Sequence, residues 1–214
     1  MSGYLTVDGE FVNTKIIERS KFICYLKGIK DEEEAKAYVE QIRKLNGLAT
    51  HNCYAYIADE KGLIQKFSDD GEPQGTAGMP MLNALKGKKL FKTVAVVTRY
   101  FGGIKLGAGG LVRAYGGSVG DCVETAKLCQ YSPCEILRIN ADYDGYSRIM
   151  GVISNYKTSV ISTDFENGIT VTVAVAKESE DTVKNFCDKL VDVFNGKIKT
   201  ESIREENFPF KSDV

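Results

Sequence analysis

Arg99, Lys105 and Arg113 stand around a run of glycines, RYFGGIKLGAGGLVRAY, in a chain of 214 residues. Glycine costs about 1 kcal/mol against alanine inside a helix. Yet eight of the 21 glycines fall between Gly102 and Gly120. A strand ending at Arg99, a glycine turn and a helix N-terminus would together form an anion site, because free backbone N–H groups and the helix dipole point at one place. Gly102 and Gly103 would permit positive φ or the close approach of a phosphate. Gly109 opens the helix, and Arg99, Lys105 and Arg113 would supply formal charge. No GxxxxGK[ST] string occurs and GGIKLGAGG does not match GxGxxG, so tight mononucleotide binding is not expected. The same glycines also suit a purely structural role. Gly102 and Gly103 would then make a tight turn, and Gly116, Gly117 and Gly120 a helix face packed closely on a sheet.

A second constellation is SDDGEP, which gathers Asp69, Asp70 and Glu72 near Thr76. Such carboxylates can bind Mg²⁺ or act as acid and base, although polar turns collect Asp and Gly for backbone reasons alone. The turn is the favoured reading. It leaves open that these acids clamp Lys21, Arg99 or Arg113 and so shape the glycine loop. His51, the one histidine, lies two residues from Cys53, on the same side of a strand. A Cys–His dyad is conceivable, but an ordinary edge histidine is favoured.

From Pro73 to Gly120 the chain has no acid. It carries Lys86, Lys88, Lys89, Lys92, Arg99, Lys105 and Arg113, within a whole of net charge −1. A local block of one sign matters for partners even when the total is near zero. Tyr100, Phe101 and Tyr115 interleave with these cations. Tyr100 and Tyr115 would be placed to stack on unpaired bases, whereas Phe101 is expected in the core. The six cysteines form no CxxC pair, so neither a zinc site nor any cofactor is expected. No apolar stretch is long enough to span a membrane, and the N-terminus has no basic start followed by an apolar run. A cytoplasmic location with reduced cysteines is expected.

The elements that must position these residues read as follows. Lys21–Ile29 alternates as a strand, and Asp31 caps a helix whose apolar face is Ala35, Tyr38, Val39, Ile42 and Leu45. Asn52–Ala58 and Gly62–Ser68 form a hairpin, and PMLNALK a short helix begun by Pro80. TVAVVTRY is a buried strand. A helix from about Gly109 to Leu128 carries the stripe Leu111, Tyr115, Val119, Cys122 and Ala126. The pattern restarts near 131–133 and then runs β-α-β-β-α-β, the ferredoxin-like order. An α+β chain of two domains, 1–132 and 133–214, is expected.

GMPMLNALKGKKLFKTVAVVTRYFGGIKLG, Gly78 to Gly107, resembles the signature of the YigZ/IMPACT family, including Arg99, Tyr100, Phe101, Gly102, Gly103, Leu106 and Gly107. SKF (Ser20 to Phe22), ATHNCYAY (Ala49 to Tyr56) and SDDGEPQGTAGMP (Ser68 to Pro80) also fall where that family has its motifs. The resemblance covers roughly Tyr4 to Lys127. It implies an N-terminal ribosomal-protein-like β/α sandwich, related to domain IV of elongation factor G, followed by a ferredoxin-like domain. It also implies a role in translation. Eukaryotic members regulate it by interfering with activation of an amino-acid-starvation kinase, through the shared domain and an extra N-terminal module; that module is not seen here, so the kinase role is not expected to transfer.

The first expectation is thus a non-enzymatic protein that binds nucleic acid or the ribosome and regulates translation, with RNA, the ribosome or a translation-associated protein as partner. Lys86, Lys88, Lys89 and Lys92 would attract phosphates generally, while Arg99, Lys105 and Arg113 would position the backbone at the loop. The alternative is an enzyme acting on a phosphorylated small molecule, the glycine loop holding the phosphate and Asp69, Asp70, Glu72 or His51 doing chemistry. A third is a protein-interaction module with an exposed apolar patch on the sheet of the second domain.

Overall fold

Strands buried on both faces read as unbroken apolar runs, and two such strands centre the first sheet. A computed structural model describes residues 3–166 and 168–210. The chain divides into two units: Tyr4–Cys129, and Gln130–Val214 together with 1–3. The expected boundary at 131–133 lies inside a strand.

In the first unit the elements are β1 (Tyr4–Val7), β2 (Glu10–Ile17), β3 (Ser20–Gly28), α1 (Glu32–Leu45), β4 (His51–Ile57), β5 (Gln65–Ser68), α2 (Gly78–Gly87), β6 (Thr93–Tyr100) and α3 (Gly107–Thr125). The sheet order is β2-β3-β6-β4-β5, antiparallel throughout. Helix α1 covers one face, packing Tyr38, Val39 and Ile42 on Ile23, Tyr25, Val94 and Val96. Helices α2 and α3 cover the other, with Met81, Leu85, Leu111, Tyr115 and Val119 against Phe22, Cys24, Cys53 and Val97. The Asp31 side chain accepts from the Glu34 N–H at 2.9 Å, capping α1 as its position suggests.

In the second unit, β7 (Leu128–Ala141), α4 (Tyr146–Ile153), β8 (Thr158–Asp164), β9 (Ile169–Ala176), α5 (Thr182–Val193) and β10 (Lys199–Pro209) follow in turn. Strand β10 pairs with β7, β7 with β9 and β9 with β8, the ferredoxin-like order. Ile149, Val152, Phe186 and Leu190 of the helices pack on Leu137, Val171 and Val173 of the sheet. Part of the apolar surface on the opposite sheet face is covered. Ile136, Ala174 and Ala176 there are buried in a cluster with Phe210.

Candidate functional site

Strand alternation decides which residues of the glycine stretch can meet. Val97 and Arg99 point to the α2/α3 face of β6, and Val96 and Tyr100 to the α1 face. Arg99 lies opposite Phe22 on one neighbour and His51 on the other. Tyr100 lies opposite Lys21, and its hydroxyl donates to Asn46 Oδ1 at 3.1 Å. Tyr100 and Lys21 are therefore turned away from the Arg99 face. A base stacked at that face would not reach Tyr100.

Arg99 is not the surface cation that its place in the sequence suggests. It is 5% exposed, and its guanidinium is paired with Glu72 at 2.7 Å. A second nitrogen donates to Ser20 Oγ at 3.2 Å, and the cation sits over the rings of Phe22 and Phe101 at 5.3 and 5.4 Å. The Tyr115 hydroxyl donates to the same Glu72 oxygen at 2.7 Å. Burial, then the neighbouring Cys53 and Glu72, push the pKa of this phenol up. Of the three acids of the polar turn, Glu72 alone clamps a cation of the glycine stretch. The Asp69 carboxylate instead accepts from the N–H groups of Gly75, Ala77 and Gly78 at 2.8, 3.0 and 2.8 Å. Asp70 accepts from the Asn52 N–H at 2.7 Å and from Arg43 at 3.1 Å, tying the turn to α1. Among the described residues no acidic or cysteine cluster suited to a metal is present.

Burial raises the pKa of Asp69, but the three N–H donors outweigh it and hold the carboxyl below its ordinary range. A depressed folded pKa means stability that is present above the unfolded value of about 3.9 and lost as pH falls through the folded one. Asp69→Asn is expected to lower stability at neutral pH and to shrink the loss between roughly pH 5 and 3. Urea unfolding across that range checks it, and an unchanged acid limb would remove Asp69 from this account.

The Cys–His dyad is not formed. His51 Nδ1 lies 2.8 Å from the Asp70 carbonyl, while the Cys53 thiol donates to the Asp69 carbonyl at 3.0 Å. Burial, with the charges of Glu72, Asp70 and Asp69, pushes that thiol well above its ordinary pKa despite a lowering hydrogen bond from Tyr115. It is the opposite of an activated nucleophile.

Gly102 makes a close approach, but to its own chain. A Cβ there would lie 2.0 Å from the Arg19 carbonyl oxygen. Gly103 and Gly107 have φ of +88° and +69°, as a turn into a helix requires. Of the helical glycines, Gly116 faces Pro80 of α2, Gly117 faces the Lys15 ammonium, and Gly120 has nothing within 4 Å. The expected close packing on a sheet is not what they provide.

A cavity of about 420 Å³ is lined by Thr50, His51, Glu72, Arg99, Phe101 and Lys105, with the first turn of α3 (Gly107, Ala108). That turn has no side-chain cap and no acid, so its N–H groups and dipole favour an anion. Phe101, expected in the core, is 47% exposed, its ring held by Arg99. Arg99 Nε, buried, has no partner among the described residues. An adjoining cavity of about 470 Å³ shares Lys105 and Leu106 and adds Lys15, Glu18, Gly110 and Arg113. A Cβ at Gly109, between Ala108 and Gly110, would lie 3.6 Å from the Arg113 guanidinium. The remaining cations stand elsewhere. Lys86, Lys88 and Lys89 occupy the C-terminal end of α2, and Lys88 pairs with Glu124 at 3.6 Å. Lys92 precedes β6, seven residues or about 24 Å of strand from Arg99. The acid-free run is thus two separate groups of cations. Tyr115, expected to stack on unpaired bases, is instead fully buried as a polar partner of the pair, and Ser20, the other partner, was not expected at the site. Only Tyr115 left a signal, because a tyrosine in a core stripe must find a partner for its hydroxyl.

The Impact N-terminal domain matches residues 18–123. The chain is 47% identical over 149 residues to IMPACT family member YvyE of Bacillus subtilis, covering 70% of this chain and 69% of that protein. It is 36% identical over 191 residues to IMPACT family member YigZ of Escherichia coli, covering 88% and 92%. A crystal structure described as that of a hypothetical protein aligns over 96% of this chain and 100% of its own, with a TM-score of 0.60 and 33% identity. With relatives this similar along most of their length, and with Arg99, Gly102 and Glu72 placed by the motifs that carry the resemblance, the chain belongs to the IMPACT family.

Proposed function

We propose that this chain is a non-enzymatic, RNA- or ribosome-binding protein that regulates translation, and that an RNA phosphate seats at the N-terminal end of α3. The observation that carries the reading is the uncapped, acid-free first turn of α3 opening into a cavity rimmed by Lys105. The adjoining cavity continues past Lys105 to Arg113, so a sugar–phosphate chain would meet two cations in succession. Membership of the IMPACT family supports a setting in translational control.

Arg99 plays a different part here: neutralised by Glu72, it holds Phe101 and the cavity wall rather than contributing net charge. Lys105→Ala with Arg113→Ala therefore tests the site without breaking the buried pair. Fluorescence anisotropy with short single-stranded RNA, at roughly 50 to 200 mM salt, should show affinity falling steeply for the wild type. The variant should bind more weakly, with a log–log salt slope about two units shallower. Salt-independent binding, or a variant that binds like the wild type, would overturn the proposal.

A second reading, an enzyme on a phosphorylated small molecule, draws on the volume of the same cavity, which falls in the usual range for ligand sites, and on buried Glu72 beside His51 at 3.9 Å. Thermal stabilisation by a phosphorylated metabolite, without RNA binding, would favour it.

A further inference from the structure

The second unit carries an exposed aromatic face that the RNA site does not use. Tyr143 is 60% exposed, Phe165 52% and Tyr146 38%. These side chains are held in place. The rings of Tyr146 and Phe165 are 5.7 Å apart at 59°. The Tyr143 hydroxyl donates to the Phe165 carbonyl at 2.9 Å, with the Glu166 carbonyl at 3.2 Å. The 3₁₀ turn Tyr143–Gly145, the start of α4 and the chain just past β8 thus form one ordered surface. Aromatic side chains already fixed lose little entropy when a partner arrives.

Acids predominate beside these rings. Asp142 and Asp144 flank Tyr143, Asp164 and Glu166 flank Phe165, and all four are exposed. The nearby cation, Arg148, is engaged within the unit, 3.7 Å from Asp144 and over the Phe194 ring at 4.3 Å. Exposed aromatic faces attract either nucleobases or cations. The surplus of carboxylates, with only Asp144 paired to Arg148, decides between them, since it repels a phosphate backbone and attracts ammonium and guanidinium groups. Lysine and arginine would gain both the ring face and the carboxylates.

We infer that this face docks a Lys- and Arg-rich segment of a partner protein. The surface uses none of the residues of the glycine-rich site, and the inference does not rest on RNA binding there.

The test uses the full chain and three labelled probes. One is a short peptide of lysine and arginine spaced by glycine and serine, another is the same peptide with glutamate for each cation, and the third is single-stranded RNA. Anisotropy should show saturable binding of the basic peptide and none of the acidic one. Tyr143→Ser with Phe165→Ser should weaken the basic peptide by about tenfold or more. Asp144→Asn with Glu166→Gln should weaken it and flatten its salt dependence. Circular dichroism checks the fold, and Phe165→Ser alone carries the test if the double variant unfolds. No binding of the basic peptide, or equal binding by wild type and aromatic variant, would overturn the inference. So would loss of RNA binding in the aromatic variants, which would make this face a nucleic-acid surface.

Discussion

Glu72→Ala should lower the unfolding free energy of the first unit by about 3–5 kcal/mol, the usual cost of stranding one charge of a buried pair. Arg99 would remain 5% exposed with its main counter-charge gone, and the Tyr115 hydroxyl would lose its acceptor. Replacing both partners by apolar residues, Glu72→Leu with Arg99→Met, should cost much less than the two single changes together, because no uncompensated charge stays behind. The chain has no tryptophan, so far-UV circular dichroism in urea is the practical reading. The two units require that their transitions be resolved before a single value is quoted. A loss below about 1 kcal/mol would be that of a solvated surface pair and would refute the buried-pair description.

Gly102→Ala is the second large effect, and its contrast with a neighbour carries the information. The added methyl would meet the Arg19 carbonyl oxygen at 2.0 Å, its carbon at 2.1 Å and the Ser20 nitrogen at 2.5 Å, all of them backbone atoms. Either the β2–β3 turn or the chain leading to Phe101 must move, at about 1–3 kcal/mol or more. The RNA affinity proposed for the α3 site should fall with it, since Phe101 is displaced. Gly120→Ala meets nothing within 4 Å and lies inside α3, so it should be neutral or stabilise by up to about 1 kcal/mol. Thermal unfolding of the two variants side by side decides the matter. Equal stabilities would mean that the glycines of this stretch share one role.

The sequence showed most where a residue's neighbours are set by strand and helix periodicity alone. TVAVVTRY could be read as β6 because both of its faces are buried, and Asp31 marked the start of α1 through the cap it makes. Strand β2 was not legible. Its outward Val12 and Ile16 are 55% and 73% exposed, while Asn13 and Lys15 are half-buried, so polarity does not follow the pleat. At the site, the acids of SDDGEP could be seen to have cations available, but not which acid takes which cation. That choice depends on the path of the turn. Asp69 is drawn to the N–H groups around the start of α2, and Glu72 is left facing Arg99. The charge of the acid-free run was visible as well, but its separation into two groups was not, because a strand carries Lys92 and Arg99 to opposite ends of one sheet.

The position of β6 also bears on how the first unit comes together. It is the middle strand, between β3 and β4, yet it is the last of that sheet to be synthesised. Until Thr93–Tyr100 leaves the ribosome, β2–β3 and β4–β5 are two hairpins with no common neighbour, and short hairpins alone are marginal in water. Pairing Phe22 with Arg99 closes a long loop, the kind of non-local contact that slows folding. Late arrival of one strand therefore sets the moment at which the sheet and the Glu72–Arg99 pair can form, the α3 cavity following only when α3 itself is made, and a nascent chain ending before β6 has edges that need protection.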